Sequence, residues 1–210
     1  MRRRVLQAGG LMGLAGALVG CANPLANTSP RFDYFVIQDL ATGMPVAPGA
    51  PAAPRIDRTV LLGLGTTQSL FDSDRMVYSR DGTGHAYYQF SSWSERPARR
   101  LLALAEARLA RSGAFRSVGQ ATSGIRGDLL LTLRLEDFTH DARPPGQVRV
   151  QVVVDLVDWS TRRLVERRTF VPTAPTPTND ARGAAAAANV ATTALLDEMA
   201  RWLSEAASRA

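Results

Sequence analysis

Hydrophobic and polar positions in this chain repeat with two periods, and the places where the period changes predict the elements. Phe32 to Gln38 reads as an opening strand. Ala41 to Pro54 holds four prolines and two glycines and is a loop. Arg58 to Gly65 is a strand of the buried kind, with Val60, Leu62 and Leu64 alternating against Leu61 and two glycines. Arg75 to Arg80 and His85 to Ser91 flank Asp81-Gly82-Thr83-Gly84, a turn-forming insert that predicts a β-hairpin. The period then lengthens. Ala98, Leu101, Leu102, Ala105 and Leu109 recur at helical spacing, with Ser94 as the expected N-cap, Pro97 in the first turn and Gly113 as the stop.

Period two returns after a short strand at Phe115 to Gly119. Leu129, Leu131, Leu133 and Leu135 alternate with Leu130, Thr132, Arg134 and Glu136, the clearest half-buried strand in the chain. Pro144-Pro145-Gly146 turns it into Gln147 to Trp159, where Val148, Val150, Val152, Val154 and Leu156 share a face. Asp158 to Arg162 leads on to Arg163 to Val171, completing a three-strand meander. Pro172, Pro175 and Pro177 mark a linker, and Asn179 or Asp180 caps a long last helix striped by Ala188, Ala191, Leu195, Met199, Trp202 and Ala206. The predicted class is α+β: a largely antiparallel sheet with two main helices packed on one face.

The N-terminus changes the picture. Arg2, Arg3 and Arg4 precede the uncharged stretch Val5 to Val19, which is short for a membrane span, and Leu18-Val19-Gly20-Cys21 closes it as a lipobox. This is the pattern of a bacterial lipoprotein signal. It divides the chain into a signal peptide over 1–20, an acylated N-terminus and tether over 21–30, and a domain over 31–210. In that class Cys21 carries acyl chains such as palmitate, and several chains exceed what stable anchoring requires. Ala22 in place of Asp after the cysteine permits outer-membrane delivery, so the expected location is the periplasmic face of that membrane. Cys21 is the sole cysteine, so packing and not a disulfide must hold the domain.

Composition narrows the function. The formal charge of +6 comprises 25 basic residues, all arginine, and 19 acids; without the three signal arginines it is 22 minus 19, or +3. The arginines are scattered and give no nucleic-acid footprint, although an exposed arginine-rich surface favours anionic headgroups. Two histidines, His85 in the hairpin turn and His140 beside the proline turn, do not assemble a catalytic set, and His140 with Asp137 and Asp141 lacks a metal-ligand spacing. Gly63-Leu64-Gly65 fits a closely packed strand and not a dinucleotide loop, and Arg126-Gly127-Asp128 fits a turn entering a strand. No catalytic residue, metal or cofactor is expected beyond the covalent lipid on Cys21. The candidate surface for a partner or lipid is the aromatic run Tyr87, Tyr88, Phe90 and Trp93, half of which alternation should send inward.

The lipobox, Phe32-Asp33-Tyr34-Phe35, Met76-Val77-Tyr78-Ser79-Arg80, Tyr87-Tyr88, Trp93-Ser94-Glu95-Arg96-Pro97, Gly127-Asp128-Leu129-Leu130-Leu131 and Glu136-Asp137-Phe138 together resemble the ABC-type transport auxiliary lipoproteins, including the PqiC-like members associated with MCE-domain systems. The resemblance implies a non-enzymatic accessory subunit whose partners are an MCE-domain protein and an ABC permease and ATPase, with homo-oligomers among its assemblies. The cargo implied is phospholipid or another hydrophobic molecule. The alternative is a structural or assembly lipoprotein that supports outer-membrane or lipopolysaccharide machinery. Ser94, where an alanine usually follows the tryptophan, and the proline-rich first loop depart from the commoner pattern.

Overall fold

The computed structural model describes residues 31–42 and 55–209; Cys21 and most of the proline-rich loop lie outside them. Four strands, β1 (Asp33–Phe35), β2 (Ile56–Leu64), β3 (Arg75–Ser79) and β4 (Ala86–Trp93), precede helix α1 (Pro97–Ser112). Five more, β5 (Phe115–Gln120), β6 (Leu129–Asp141), β7 (Gln147–Asp158), β8 (Arg163–Phe170) and β9 (Thr173–Pro175), separate it from α2 (Ala181–Arg209).

All these strands join one open sheet, with β6 as its spine. One edge of β6 pairs with β7 from Leu129 opposite Asp158 to Asp141 opposite Gln147. Its other edge is long enough to serve two strands in turn. β2 takes Leu129 to Leu133, and β3 takes Thr139 to Asp141. Both of these pairings are parallel, as are β1 with β4 and β2 with β5. The hairpin β3/β4 and the meander β6/β7/β8 are antiparallel as expected, and β9 pairs antiparallel with β7. The sheet is therefore mixed, not largely antiparallel. Tight turns force antiparallel neighbours, whereas β2 and β6 meet only after the chain has made a hairpin, a helix and β5, so no local signal fixes their direction.

Three local expectations change. The opening strand is shorter than Phe32 to Gln38: beyond Phe35 the chain leaves β4 and runs along α2, where Asn189 Oδ1 accepts from the Gln38 N–H and Thr193 Oγ1 from the Leu40 N–H, both at 2.9 Å. Ser94 does not cap α1. Its N–H donates to the Phe35 carbonyl, Arg96 holds the N-cap position without a side-chain bond, and Pro97 at the first helical position has no N–H to satisfy. The proline linker contributes β9, an edge strand, where a residue that has no N–H to donate, Pro175, is tolerated. The C-cap of α1 is as read: Gly113 takes φ 65°, the left-handed conformation that glycine adopts at no steric cost.

The core forms one cluster. Leu129, Leu131, Leu133 and Leu135 of β6 and Val148, Val150, Val152, Val154 and Leu156 of β7 meet Leu101, Leu102, Ala105 and Leu109 of α1 and Ala188, Ala191, Leu195, Met199 and Trp202 of α2. Alanines along α2 bring its backbone close to the sheet, and Trp202 fills the end against Phe170, edge to face at 5.7 Å. Removing a fully buried leucine here costs about 2–5 kcal/mol. The reverse side of the meander is polar, as the cross-strand partners Asp155 and Arg167 show by forming an ion pair there.

One irregularity places the site described next. Register shifts between Leu135 and Asp137, so Glu136 bulges out of the ladder. Before the bulge the odd-numbered side chains of β6 face the core; after it Phe138 and His140 are buried.

Candidate functional site

The bulge carries His140 beneath the β3/β4 hairpin. The imidazole is 2% exposed, and its Nδ1 lies 2.7 Å from the phenol oxygen of Tyr88 on β4. Tyr88 is half-buried and tilted against Tyr78 of β3, with ring centroids 4.8 Å apart. Burial, the Asp180 carboxylate and Tyr78 push the Tyr88 phenol up to about 12. Burial also lowers the pKa of His140, against the opposing pull of Asp141, Asn179 and Asp180. Both groups are therefore neutral near pH 7, and a single hydrogen joins them. The other ring nitrogen, Nε2, is buried with no partner of hydrogen-bonding geometry.

Above this pair the surface opens into a groove of about 530 Å³ bordered by Tyr78, Arg80, Tyr87, Tyr88, Gln89 and Asn179. Arginines sit on its tyrosines: the Arg75 guanidinium lies 3.7 Å over the Tyr87 ring and that of Arg80 5.2 Å from the Tyr78 ring. The hairpin that presents them is held at its turn by Asp81, whose Oδ1 accepts from the N–H groups of Thr83 and Gly84 at 2.8 and 2.7 Å. Those donors keep its carboxyl down at about 2. On the β6 side, Asp141 accepts two hydrogen bonds from the Arg143 guanidinium, at 2.8 and 2.6 Å, which lowers the carboxyl pKa. The groove thus offers flat aromatic faces, planar cations and phenol hydroxyls. Such a surface suits a protein or headgroup contact, and Tyr and Arg are the residues that interfaces favour.

Of the four aromatics singled out in the sequence, Tyr87 and Tyr88 border this groove and Phe90 is exposed. Trp93 is 4% exposed and packs edge to face on Phe138, so it supports the hairpin from within. His85 is exposed in the hairpin turn, and His140 has a phenol as its hydrogen-bond partner. Cys21 lies outside the described residues. Among those residues no helix is long and apolar enough to cross a membrane, and no three His, Cys, Asp or Glu side chains gather as a metal site.

A second polar cluster escaped the reading of the sequence. Asp39 is buried and its carboxylate is gripped by Arg108 and Arg111 of α1; Arg108 also pairs with Asp197 of α2. Burial opposes ionisation of Asp39, but Arg108, the Ala41 N–H and Arg111 outweigh it and leave the pKa low. The cluster pins the segment after β1 to both helices. Its signal was present, since Phe35, Ile37 and Asp39 continue one alternating set into the interior.

Comparison with known proteins agrees with this architecture. A Xanthomonas campestris protein of the DUF330 family superposes with a TM-score of 0.74 at 21% identity, covering 84% of this chain and 97% of that one. A second, uncharacterised structure gives 0.61 at 12% identity over 81% and 99%. The PelC dodecamer of Paraburkholderia phytofirmans is more distant, at 0.42 and 16% identity over 70% and 90%. No curated protein matches the sequence significantly. The family described as ABC-type transport auxiliary lipoprotein component matches residues 41–200. Since that span takes in nearly every element of the sheet and most of α2, the chain belongs to the ABC-type transport auxiliary lipoprotein family.

Proposed function

We propose that this protein is a non-catalytic accessory of an ABC/MCE-type system that moves phospholipids or other hydrophobic molecules, tethered through acylated Cys21 to the periplasmic face of the outer membrane. The family match over residues 41–200 carries the reading. The lipobox supplies the anchor. In this reading the two helices cover one face of the sheet, and the β3/β4 hairpin offers Tyr87 and Tyr88 in its groove and Phe90 on its exposed surface to the MCE-domain partner, with Arg75 and Arg80 as cationic flanks.

The interior supports an accessory role over that of a carrier. A carrier that encloses acyl chains needs an apolar cavity to hold them. Here the space among Leu64, Ala98, Leu101, Leu133, Leu135 and Val152, between α1 and the sheet, has no room for a single water molecule. The groove beside Tyr78 and Arg80, by contrast, is open to solvent. The protein in this role secures or shapes the transport path without swallowing its cargo.

Photocrosslinkers placed at Tyr87 and Phe90 in native envelopes test the reading, with Trp93→Phe as a folding control. Recovery of an MCE-domain or ABC component is the expected result. Exclusive recovery of a β-barrel assembly partner would replace it with the assembly reading. Cys21→Ser serves as the companion variant and should release the protein from the membrane fraction.

A further inference from the structure

The first described segment alternates with unusual regularity, and its outward set is apolar at every position but Gln38. Phe35, Ile37 and Asp39 point inward, while Phe32, Tyr34, Val36 and Leu40 point out, at 45%, 69%, 44% and 50% exposure. The rings of Phe32 and Tyr34 lie against each other, tilted, with centroids 5.0 Å apart. Val190, next to the Asn189 that holds the Gln38 N–H, adds a further exposed aliphatic from α2. An apolar row of this length on the surface marks an interaction site.

Its hydrogen bonding argues against a partner strand as the occupant. β1 is an edge strand, yet the segment that continues it has its donors committed: Gln38 and Leu40 to α2, Ala41 to the Asp39 carboxylate, Thr42 to the Asp39 carbonyl. What remains available is side-chain surface. Its location in the chain indicates what it meets. Cys21 precedes Phe32 by 11 residues, a length of chain that spans at most about 40 Å. A row so close to a lipid anchor is held at high effective concentration beside the bilayer, so even a weak lipid contact is occupied. Phe and Tyr are suited to the headgroup boundary, with apolar rings and a wet hydroxyl. Arg182, highly exposed, pairs with Asp33 at 3.8 Å, so the charges beside the row balance and its contact with the bilayer is made by the apolar side chains.

We propose that the row Phe32, Tyr34, Val36 and Leu40 is a membrane-seating surface that rests on the lipid headgroup boundary and fixes the orientation of the domain to its bilayer. The inference rests on the reading of Cys21 as the acylated anchor. The β3/β4 groove is then presented at a defined angle to that bilayer.

The test uses the full lipidated protein, purified in detergent and reconstituted into vesicles of phosphatidylethanolamine and phosphatidylglycerol. Cys21 is the only cysteine and its thiol is consumed by the lipid, so Tyr34→Cys, Val36→Cys and, as a reference, Leu164→Cys on β8 each take one environment-sensitive fluorophore. Labels at 34 and 36 should shift to the blue and be quenched by spin-labelled lipid at least twofold more than the label at 164. Thermal denaturation confirms that each variant is folded. Labels at 34 and 36 that stay as water-exposed as the one at 164 overturn the proposal, and self-quenching between labelled copies, unchanged in detergent, overturns it in favour of a second copy as the occupant. Mass spectrometry of the Cys21 peptide is read separately: a missing acyl chain sinks the anchor reading itself, whereas an acylated protein with a solvent-exposed row sinks the seating surface alone.

Discussion

Replacing Gly183 with alanine should destabilise this protein, although the position is helical and alanine is the better helix former. Gly183 is the third residue of α2, and a Cβ built there would lie 1.9 Å from the Thr178 carbonyl oxygen and 2.6 Å from its Oγ1. Contacts below 3.0 Å do not occur, so the backbone of the 178–180 turn must retreat by about 1 Å, and a carbonyl cannot rotate away as a long side chain could. That turn is the helix cap: Asp180 Oδ1 accepts from the Gly183 N–H at 2.8 Å and from the Thr178 hydroxyl at 2.9 Å. Overpacking costs about 1–3 kcal/mol and loss of the cap about 1 kcal/mol. The propensity gain returns about 1 kcal/mol. The net expectation is about 1–3 kcal/mol of lost stability, or a Tm lower by about 2–12 °C for a domain of this size. Urea denaturation of Gly183→Ala measures it against Gly63→Ala, where the nearest contacts are side-chain atoms at 3.7 and 3.8 Å and little should change. A Gly183→Ala protein as stable as its parent, or more stable, would refute the argument.

Two further perturbations probe the buried polar groups. Asp39→Asn should cost up to about 3 kcal/mol, less than a buried charge left wholly unpaired, because the largely buried Arg108 loses one carboxylate but keeps Asp197. The folded pKa of Asp39 is depressed, so its contribution is present above the unfolded value near pH 4 and lost as pH falls below it; the variant should therefore show a shallower loss of stability between about pH 5 and 2 than the parent, and an identical pH profile would contradict the role given to Asp39. Tyr88→Phe should cost about 1–3 kcal/mol by leaving both ring nitrogens of His140 buried and unpaired. An unchanged Tm would show that the phenol–imidazole bond does not hold the hairpin to β6.

The sequence by itself determined most of the local structure. Alternation located the strands, helical spacing located α1 and α2, and Gly113 and Asp180 mark helix ends where their chemistry demands it, because each of these signals acts over a few residues. The hairpin at Asp81-Gly82-Thr83-Gly84 and the meander after Pro144 were legible for the same reason, as was the family, through its scattered landmarks. The candidate surface was only half legible: alternation implied that some of Tyr87, Tyr88, Phe90 and Trp93 turn inward but not that Trp93 packs on Phe138. Only the tertiary structure decided which strands lie side by side. A period of two tells a strand which face is apolar and nothing about its neighbour, so the parallel pairing of β2 with β6 and the sharing of one β6 edge by β2 and β3 had no local trace. The bulge at Glu136 reversed the faces of β6 and brought His140 under Tyr88, and Asp39 found Arg108 69 residues away. These contacts arise where distant segments compete to bury apolar surface and pair the polar groups carried in with it, which is a property of the assembled core and not of any stretch of chain.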